Sequence, residues 1–357
     1  MMRNRNIGFA VPGDITTLTG GYIYDRKLSD ALAASGVAVR HLEFGDSFPH
    51  PTTPDMDSAF AQLATLPCDC PVIIDGLAFG ALDTARLSEL RTPLVPLVHH
   101  PLACETGLDP ALARRMATRE IANLALARHI LVTSPYIARL LTRDYNVAPS
   151  RITAAPPGFD PPGREDRRVK KTPPLILSVG LLAQRKGHDI LLRALSRIVD
   201  LEWQAVIVGR AHEPETVSAL NELHKALGLA QRVRFAGAVP QATLDQLYSE
   251  ASLFALATRY EGYGIVFGEA MRHALPIIST TAGAVPDTVP TSAGLLVPTD
   301  DMEGFADALR HLLCNTDLRS RYAKAARLAA ERLPSWPETA RRVVAVLDRK
   351  CGDANAP

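Results

Sequence analysis

The chain has 357 residues, with 39 basic against 38 acidic side chains and 47% apolar residues. At ~100–200 residues per domain, this length predicts two domains, each able to bury its own core. A net charge of +1 and 6% aromatics exclude a dedicated nucleic-acid binder and a disordered chain, which leaves a two-domain globular protein of enzyme type.

In chain order, residues 7–11 read as a first buried strand. The basic start resembles a secretory leader, but the apolar run is too short and Pro12-Gly13-Asp14 ends it. No run approaches the ~20 apolar residues that span a bilayer, so a cytosolic location is expected. Further strands are predicted at 37–44, 72–75, 94–99 and 129–133, with helices near 22–34, 108–126 and 136–143. Continuous apolar strands imply parallel sheet covered on both faces, hence an α/β fold. Asp55-Met-Asp57, a carboxylate pair of a kind that can hold a metal, falls in a predicted loop after a proline cluster and is given no metal role. Cys68-Asp-Cys70 lacks a second pair at zinc spacing; with Cys104, Cys314 and Cys351 it reads as free thiols.

From Pro156 to Pro174 stiff prolines and a charged run predict a hinge. The pattern then restarts, with strands at 175–179, 203–208, 233–235, 253–257 and 276–279, and helices at 188–199, 214–227, 243–251 and 266–273. A last helix, 336–347, is placed to cross back to the first unit. The domains expected are 1–158, a linker 159–174, 175–334, and a C-terminal helix within 335–357. Ligands of such sheets bind outside the carboxyl ends of the strands, so two Rossmann-like units facing each other would form one interdomain cleft.

The sharpest chemical segment is Glu261-Gly-Tyr-Gly-Ile-Val-Phe-Gly-Glu269-Ala-Met271. Gly262 and Gly264 let a ligand approach the backbone, and a helix starting near Ile265 presents unpaired N–H groups suited to phosphate. Glu261 and Glu269 flank that start and can accept hydrogen bonds from sugar hydroxyls; the plainer alternative is a capped helix with acidic residues at its N-terminus. Next is Gly180-Leu-Leu-Ala-Gln-Arg185-Lys186-Gly187-His188, two cations at a strand end that can neutralise a pyrophosphate or simply be solvated. In the first unit Gly20-Gly21 precedes a helix, and His99-His100-Pro101 ends a strand. There is no G-x-G-x-x-G after a strand, no P-loop, no H-E-x-x-H and no G-x-S-x-G.

These residues carry a resemblance. The segment from Glu261 to Met271 is similar to the E-G-F-G-x-x-x-x-E-A-M signature of the family-4 retaining glycosyltransferases, two-lobed enzymes of the GT-B type. Gly180…Lys186-Gly187 resembles that family's G-R-x-x-x-x-K-G loop, and Pro276-Ile-Ile, Ala282-Gly283 and Gly294-Leu-Leu-Val-Pro298 fall in its order. The resemblance implies that Lys186 binds the donor diphosphate, Glu269 the ribose, and Glu261 the transferred sugar. It further implies Gly264 and Ile265 amides near the phosphates, Phe235 beside the base, Gly20-Gly21 near the phosphates, and His99 or His100, with His99 favoured, beside sugar and acceptor. The family's loop arginine is here Leu181, and Arg185 is expected to replace its charge.

The implied reaction is same-face transfer from a nucleotide-diphosphate sugar to a glycan, lipid or small-molecule acceptor, with fixed charges in place of a metal ion or other cofactor. An arginine-rich stretch (Arg114, Arg115, Arg119, Arg128, Arg139, Arg143, Arg151) suggests a face for anionic membrane, and hence a peripheral inner-face location, or else a solvated surface. No nucleic-acid partner is expected. The alternatives are a sugar-nucleotide epimerase or phosphorylase on the same scaffold, and a nucleotide-sugar-binding subunit without catalysis.

Overall fold

The computed structural model describes residues 5–105, 107–160 and 170–351. The chain divides into two units, Met1–Gly158 with Pro334–Pro357, and Phe159–Leu333.

In the first unit β1 (Arg5–Pro12), β2 (Val37–Phe44), β3 (Val72–Asp75), β4 (Leu94–Val98), β5 (Ile130–Val132) and β6 (Ile152–Ala154) pair in parallel, in the order β2-β1-β3-β4-β5-β6. The sheet is flanked by α1 (Gly20–Ala34), α2 (Thr53–Leu63), α3 (Gly76–Phe79), α4 (Thr84–Ser88), α5 (Pro110–Leu126) and α6 (Pro135–Asp144). Every residue of β3, β4 and β5 is buried, as expected for strands covered on both faces.

One expectation is corrected. Asp55 and Asp57 lie in α2, not in a loop, because Pro54 stands in the first turn of a helix. Thr52 caps it by accepting from the Asp55 amide, and proline suits the first turn, where its missing N–H costs nothing. The Ser47 hydroxyl donates to Asp55, and Asp57 pairs with Arg86 at 2.7 Å.

The second unit holds β7 (Leu175–Val179), α7 (His188–Ser196), β8 (Gln204–Val208), α8 (Pro214–Ala226), β9 (Val233–Gly237), α9 (Gln241–Glu250), β10 (Leu253–Leu256), α10 (Ile265–Arg272), β11 (Ile277–Thr280), α11 (Val285–Thr288), β12 (Gly294–Val297), α12 (Met302–Cys314) and α13 (Thr316–Ala330). Its sheet is again all parallel, ordered β12-β11-β10-β7-β8-β9, the strand order of a dinucleotide-binding fold. Of the hinge segment, residues 161–169 lie outside the described residues. Phe159 packs within the second unit, where a β-carbon at Gly268 would meet its ring at 2.2 Å.

The last helix, α14 (Trp336–Cys351), belongs to the first unit and packs on α1. Trp336 meets the edge of Tyr24 at 5.5 Å, and the Thr339 hydroxyl donates to the Pro156 carbonyl at 2.8 Å.

In both sheets strand order reverses once near the middle, between β1 and β3 and between β7 and β10. Such switch points open a crevice at the carboxyl ends of the strands. Both clusters described next sit there.

Candidate active site

At the switch point of the second unit, β7 runs into Gly180 and a single 3-10 turn, Gln184–Lys186. Gly187 follows in the left-handed region (φ 62), where a β-carbon would stand 1.8 Å from the Ala257 carbonyl oxygen at the end of β10. That close approach sets Lys186 beside the loop leaving β10. Its Nζ donates to Glu261 Oε1 at 2.6 Å, and both residues are buried, 8% and 5% exposed. Gly283 (φ 54) backs Glu261 from behind, since a β-carbon there would lie 2.3 Å from the Glu261 carbonyl oxygen; the Ala284 amide donates to the same oxygen at 2.8 Å.

Arg259 ties the two loops together. It makes a two-pronged contact to Asp189 at 2.8 Å for each prong, donates to the Gln184 carbonyl at 2.8 Å, and pairs with Asp300 at 2.7 Å. Its own amide and the Thr258 hydroxyl both donate to the Arg185 carbonyl. Burial works against a charge on Asp189, yet the guanidinium holds its carboxyl below the usual range. His188 braces the same loop from below, with Nε2 at 3.1 Å from the Leu181 carbonyl and 3.3 Å from that of Gly180. Burial pushes its imidazole down to about 4, so it stays neutral.

Gly264, left-handed at φ 83, is the N-cap of α10, and Ile265 is the helix's first residue. One turn on, Glu269 accepts from the Tyr248 hydroxyl at 2.9 Å; burial raises its carboxyl and that hydrogen bond works against the rise. Phe235, on β9, is half-buried with His224 edge-on at 5.4 Å.

In the first unit His99 follows the end of β4. Its Nε2 lies 2.9 Å from Asp25 Oδ1 and 3.4 Å from Asp75 Oδ2, carboxylates only 1% and 3% exposed. Asp25 comes from the buried face of α1, and Asp75 ends β3 while also capping α3. Together the three residues bring ligand-capable atoms within 4.8 Å of one another. Gly21 closes over the ring, where a β-carbon would come within 3.6 Å of His99, whereas the space at Gly20 is open. His100 turns instead to Glu105 at 3.2 Å. The turn after the histidines is held by Glu120 of α5, which accepts from the Leu102 amide at 3.0 Å; burial lifts this carboxyl to about 8.

Within the second unit the expected residues Lys186, Arg185, Glu261, Gly264, Ile265 and Glu269 thus share one end of the sheet. In the first, Gly20, Gly21 and His99 do so. The carboxylates Asp25 and Asp75, the Arg259–Asp189 brace and buried Glu120 were not among the expected residues. Their only sequence signal is a charge on an otherwise apolar helix face or at a strand end.

In the arginine-rich stretch Arg114, Arg115 and Arg119 line one shallow surface beside Thr84, and several of the arginines are engaged within the chain. Arg119 donates to the Ala81 carbonyl, Arg128 to that of Lys350, and Arg151 to those of Leu124, Ala125 and Ala127, while Arg143 pairs with Asp144. No helix among the described residues is long and apolar enough to cross a membrane.

Two family models match the chain: Glycosyltransferase Family 4 over residues 72–162, and Glycosyl transferases group 1 over residues 161–329. The D-inositol 3-phosphate glycosyltransferase of Nocardioides sp. is 32% identical over 71% of this chain and 62% of its own length. The chain therefore spans about three-fifths of that curated relative. Sucrose-phosphate synthase from Thermosynechococcus elongatus superposes with a TM-score of 0.81 at 21% identity, covering 97% of this chain and 99% of the other. The Anabaena HepE protein in complex with UDP-glucose gives 0.78 at 17% identity, covering 96% and 99%. Two all-parallel six-stranded sheets, site loops at their switch points and matches to both halves converge on one conclusion: the chain belongs to glycosyltransferase family 4, with the GT-B fold.

Proposed function

We propose that the protein is a retaining glycosyltransferase that takes a nucleotide-diphosphate sugar as donor and needs no metal ion. The observation that carries this reading is the buried Lys186–Glu261 pair at the carboxyl ends of β7 and β10, beside the N-terminus of α10. A pyrophosphate is the ligand that a buried ammonium and free helix amides recognise together. Glu261, fixed by Lys186 and by Gly283 behind it, accepts from the hydroxyls of the transferred sugar, and Glu269 from those of the ribose. Arg185 supplies the second cation in place of the arginine that Leu181 lacks.

In the reaction the bond from the anomeric carbon to the diphosphate oxygen breaks, and the acceptor oxygen bonds to the same face. The acceptor proton passes to the departing phosphate oxygen. The chain's own part is electrostatic: Lys186, Arg185 and the α10 amides stabilise the negative charge that grows on the leaving group.

HepE was captured with UDP-glucose and a relative from Corynebacterium glutamicum is named as GDP-mannose-dependent, so uridine and guanosine donors belong in the test, with adenosine donors beside them. In a thermal-shift panel run in EDTA, one nucleotide sugar at ~100 times Kd should add about 2.7 kcal/mol, a rise of several degrees. The shift should vanish in Lys186→Ala. A shift that appears only when Mg²⁺ or Mn²⁺ is restored contradicts metal independence. No shift with any donor contradicts the donor site and favours a chain without catalysis.

A further inference from the structure

We propose that Asp25 and Asp75 are positioning residues that hold His99 as an imidazolium, with its Nε2–H turned inward, so that Nδ1–H is a fixed donor to an oxygen of the sugar-bearing substrate. This rests on the transferase reading above and gives His99 a protonation state: it donates and does not act as a general base.

The geometry carries it. Two carboxylates from separate elements, α1 and β3, converge on one ring nitrogen, and both are nearly solvent-free. An ionised carboxylate is costly to bury without a counter-charge, and His99 is the cation the structure provides. The ring is fixed on its other sides by the Tyr24 edge at 5.2 Å, by Gly21, and through the His99 carbonyl, which accepts from Thr133 at 3.4 Å. Nδ1 has no hydrogen bond to the rest of the chain among the described residues, and the side chain keeps 18% of its surface open. The other titratable groups around the cluster are Tyr22, Asp14 and Asp46. The Tyr22 hydroxyl donates to the Pro12 carbonyl at 2.7 Å. Burial alone would push His99 down, but Asp25 and then Asp75 lift it to about 10. The two carboxyls respond differently. Asp75 stays below the usual carboxylate range, where burial is overcome by His99 and by a hydrogen bond with Asp25. Burial and the Asp75 charge instead push Asp25 up to about 7 against the pull of His99, so Asp25 itself gains a proton at the acid end of the pH range and is fully charged above it.

The sign follows directly. A raised imidazole stays charged through neutral pH and gives up its proton only in strong alkali. In Asp25→Asn one anchor loses its charge, and the ring should titrate closer to its ordinary value of ~6.5.

The test is the long-range nitrogen–proton NMR spectrum of the histidines in the full-length chain from about pH 5.5 to about pH 9. It is paired with turnover of UDP-glucose and GDP-mannose, water serving as acceptor. The wild-type His99 ring should keep both protons throughout, with turnover showing no alkaline fall from this group. In Asp25→Asn, turnover should fall about tenfold per pH unit above the ring's new pKa. A wild-type ring that titrates near 6.5 overturns the proposal, and this reading does not depend on any variant folding. A charged ring with the same pH profile in Asp25→Asn overturns the positioning role. Selective broadening of the His99 signal by micromolar Mn²⁺ overturns it in favour of a cation site. A wild-type chain that turns over neither donor while its ring stays charged overturns the substrate-facing donor role and counts against the transferase reading; the protonation state alone would stand.

Discussion

Replacing Lys186 with alanine is expected to lower kcat/KM for the donor by about 10²–10³, or about 2.7–4 kcal/mol, the usual loss when one fixed stabiliser of a leaving group is removed. A second effect accompanies it, because Lys186 is also the partner of buried Glu261. Removing one member of a buried ion pair leaves a charge without compensation and costs about 3–5 kcal/mol of stability, whereas replacing both by neutral groups of similar volume is often harmless. The two effects therefore separate. Lys186→Ala should be both far less active and less stable. The double variant Lys186→Met, Glu261→Gln should recover most of the melting temperature yet remain far less active. Calorimetry and donor turnover on the same samples distinguish the outcomes. If the double variant regains activity along with stability, the pair is structural and the diphosphate role of Lys186 is wrong.

Gly187→Ala is expected to be the most damaging single methyl group in the second unit. Its φ of 62 places a β-carbon in the left-handed region, at about 1–2 kcal/mol, and the carbon would stand 1.8 Å from the Ala257 carbonyl oxygen. Backbone must move to relieve such a clash, adding about 1–3 kcal/mol. The same movement withdraws Lys186, the preceding residue, from the end of β10. A fall in melting temperature together with at least tenfold weaker donor binding is the expected result in a thermal-shift titration. Gly228, also left-handed (φ 65) but with no atom within 4 Å of a β-carbon, is the control. Alanine there should bring the conformational cost without loss of donor binding. Equal donor affinity in Gly187→Ala and wild type would show that the close approach does not position Lys186.

What is legible in the sequence is what local punctuation marks. Apolar runs locate β2, β3 and β7 to the residue, and glycines at strand ends mark the Lys186 and Glu261 loops. Asp55 shows how punctuation misleads: the last proline of a cluster that reads as a loop, Pro54, is in the first turn of α2, since a helix start and a loop favour the same residue. Asp25 is hidden differently. It lies between Tyr24 and Leu28 on the buried face of α1, and a period of 3.6 cannot say which single charged residue of that face meets a partner. Its partner is a matter of sheet order, because β3 lies beside β1 and brings Asp75 to the same place. The Arg259 brace draws on distant segments, reaching Asp189 in the first turn of α7 across 70 residues and Asp300 across 41. No local pattern encodes such distances.

The proposed reaction cleaves a nucleotide-diphosphate sugar and keeps the configuration of its anomeric carbon. The most direct measurement is a proton and phosphorus NMR time course of wild-type protein with UDP-, GDP- and ADP-sugars, in EDTA and without an added acceptor. Nucleoside diphosphate should appear from one donor, with the free sugar emerging first as the same anomer that the donor carried. Release of the opposite anomer first would contradict retention, and no nucleoside diphosphate from any donor would contradict the enzyme itself.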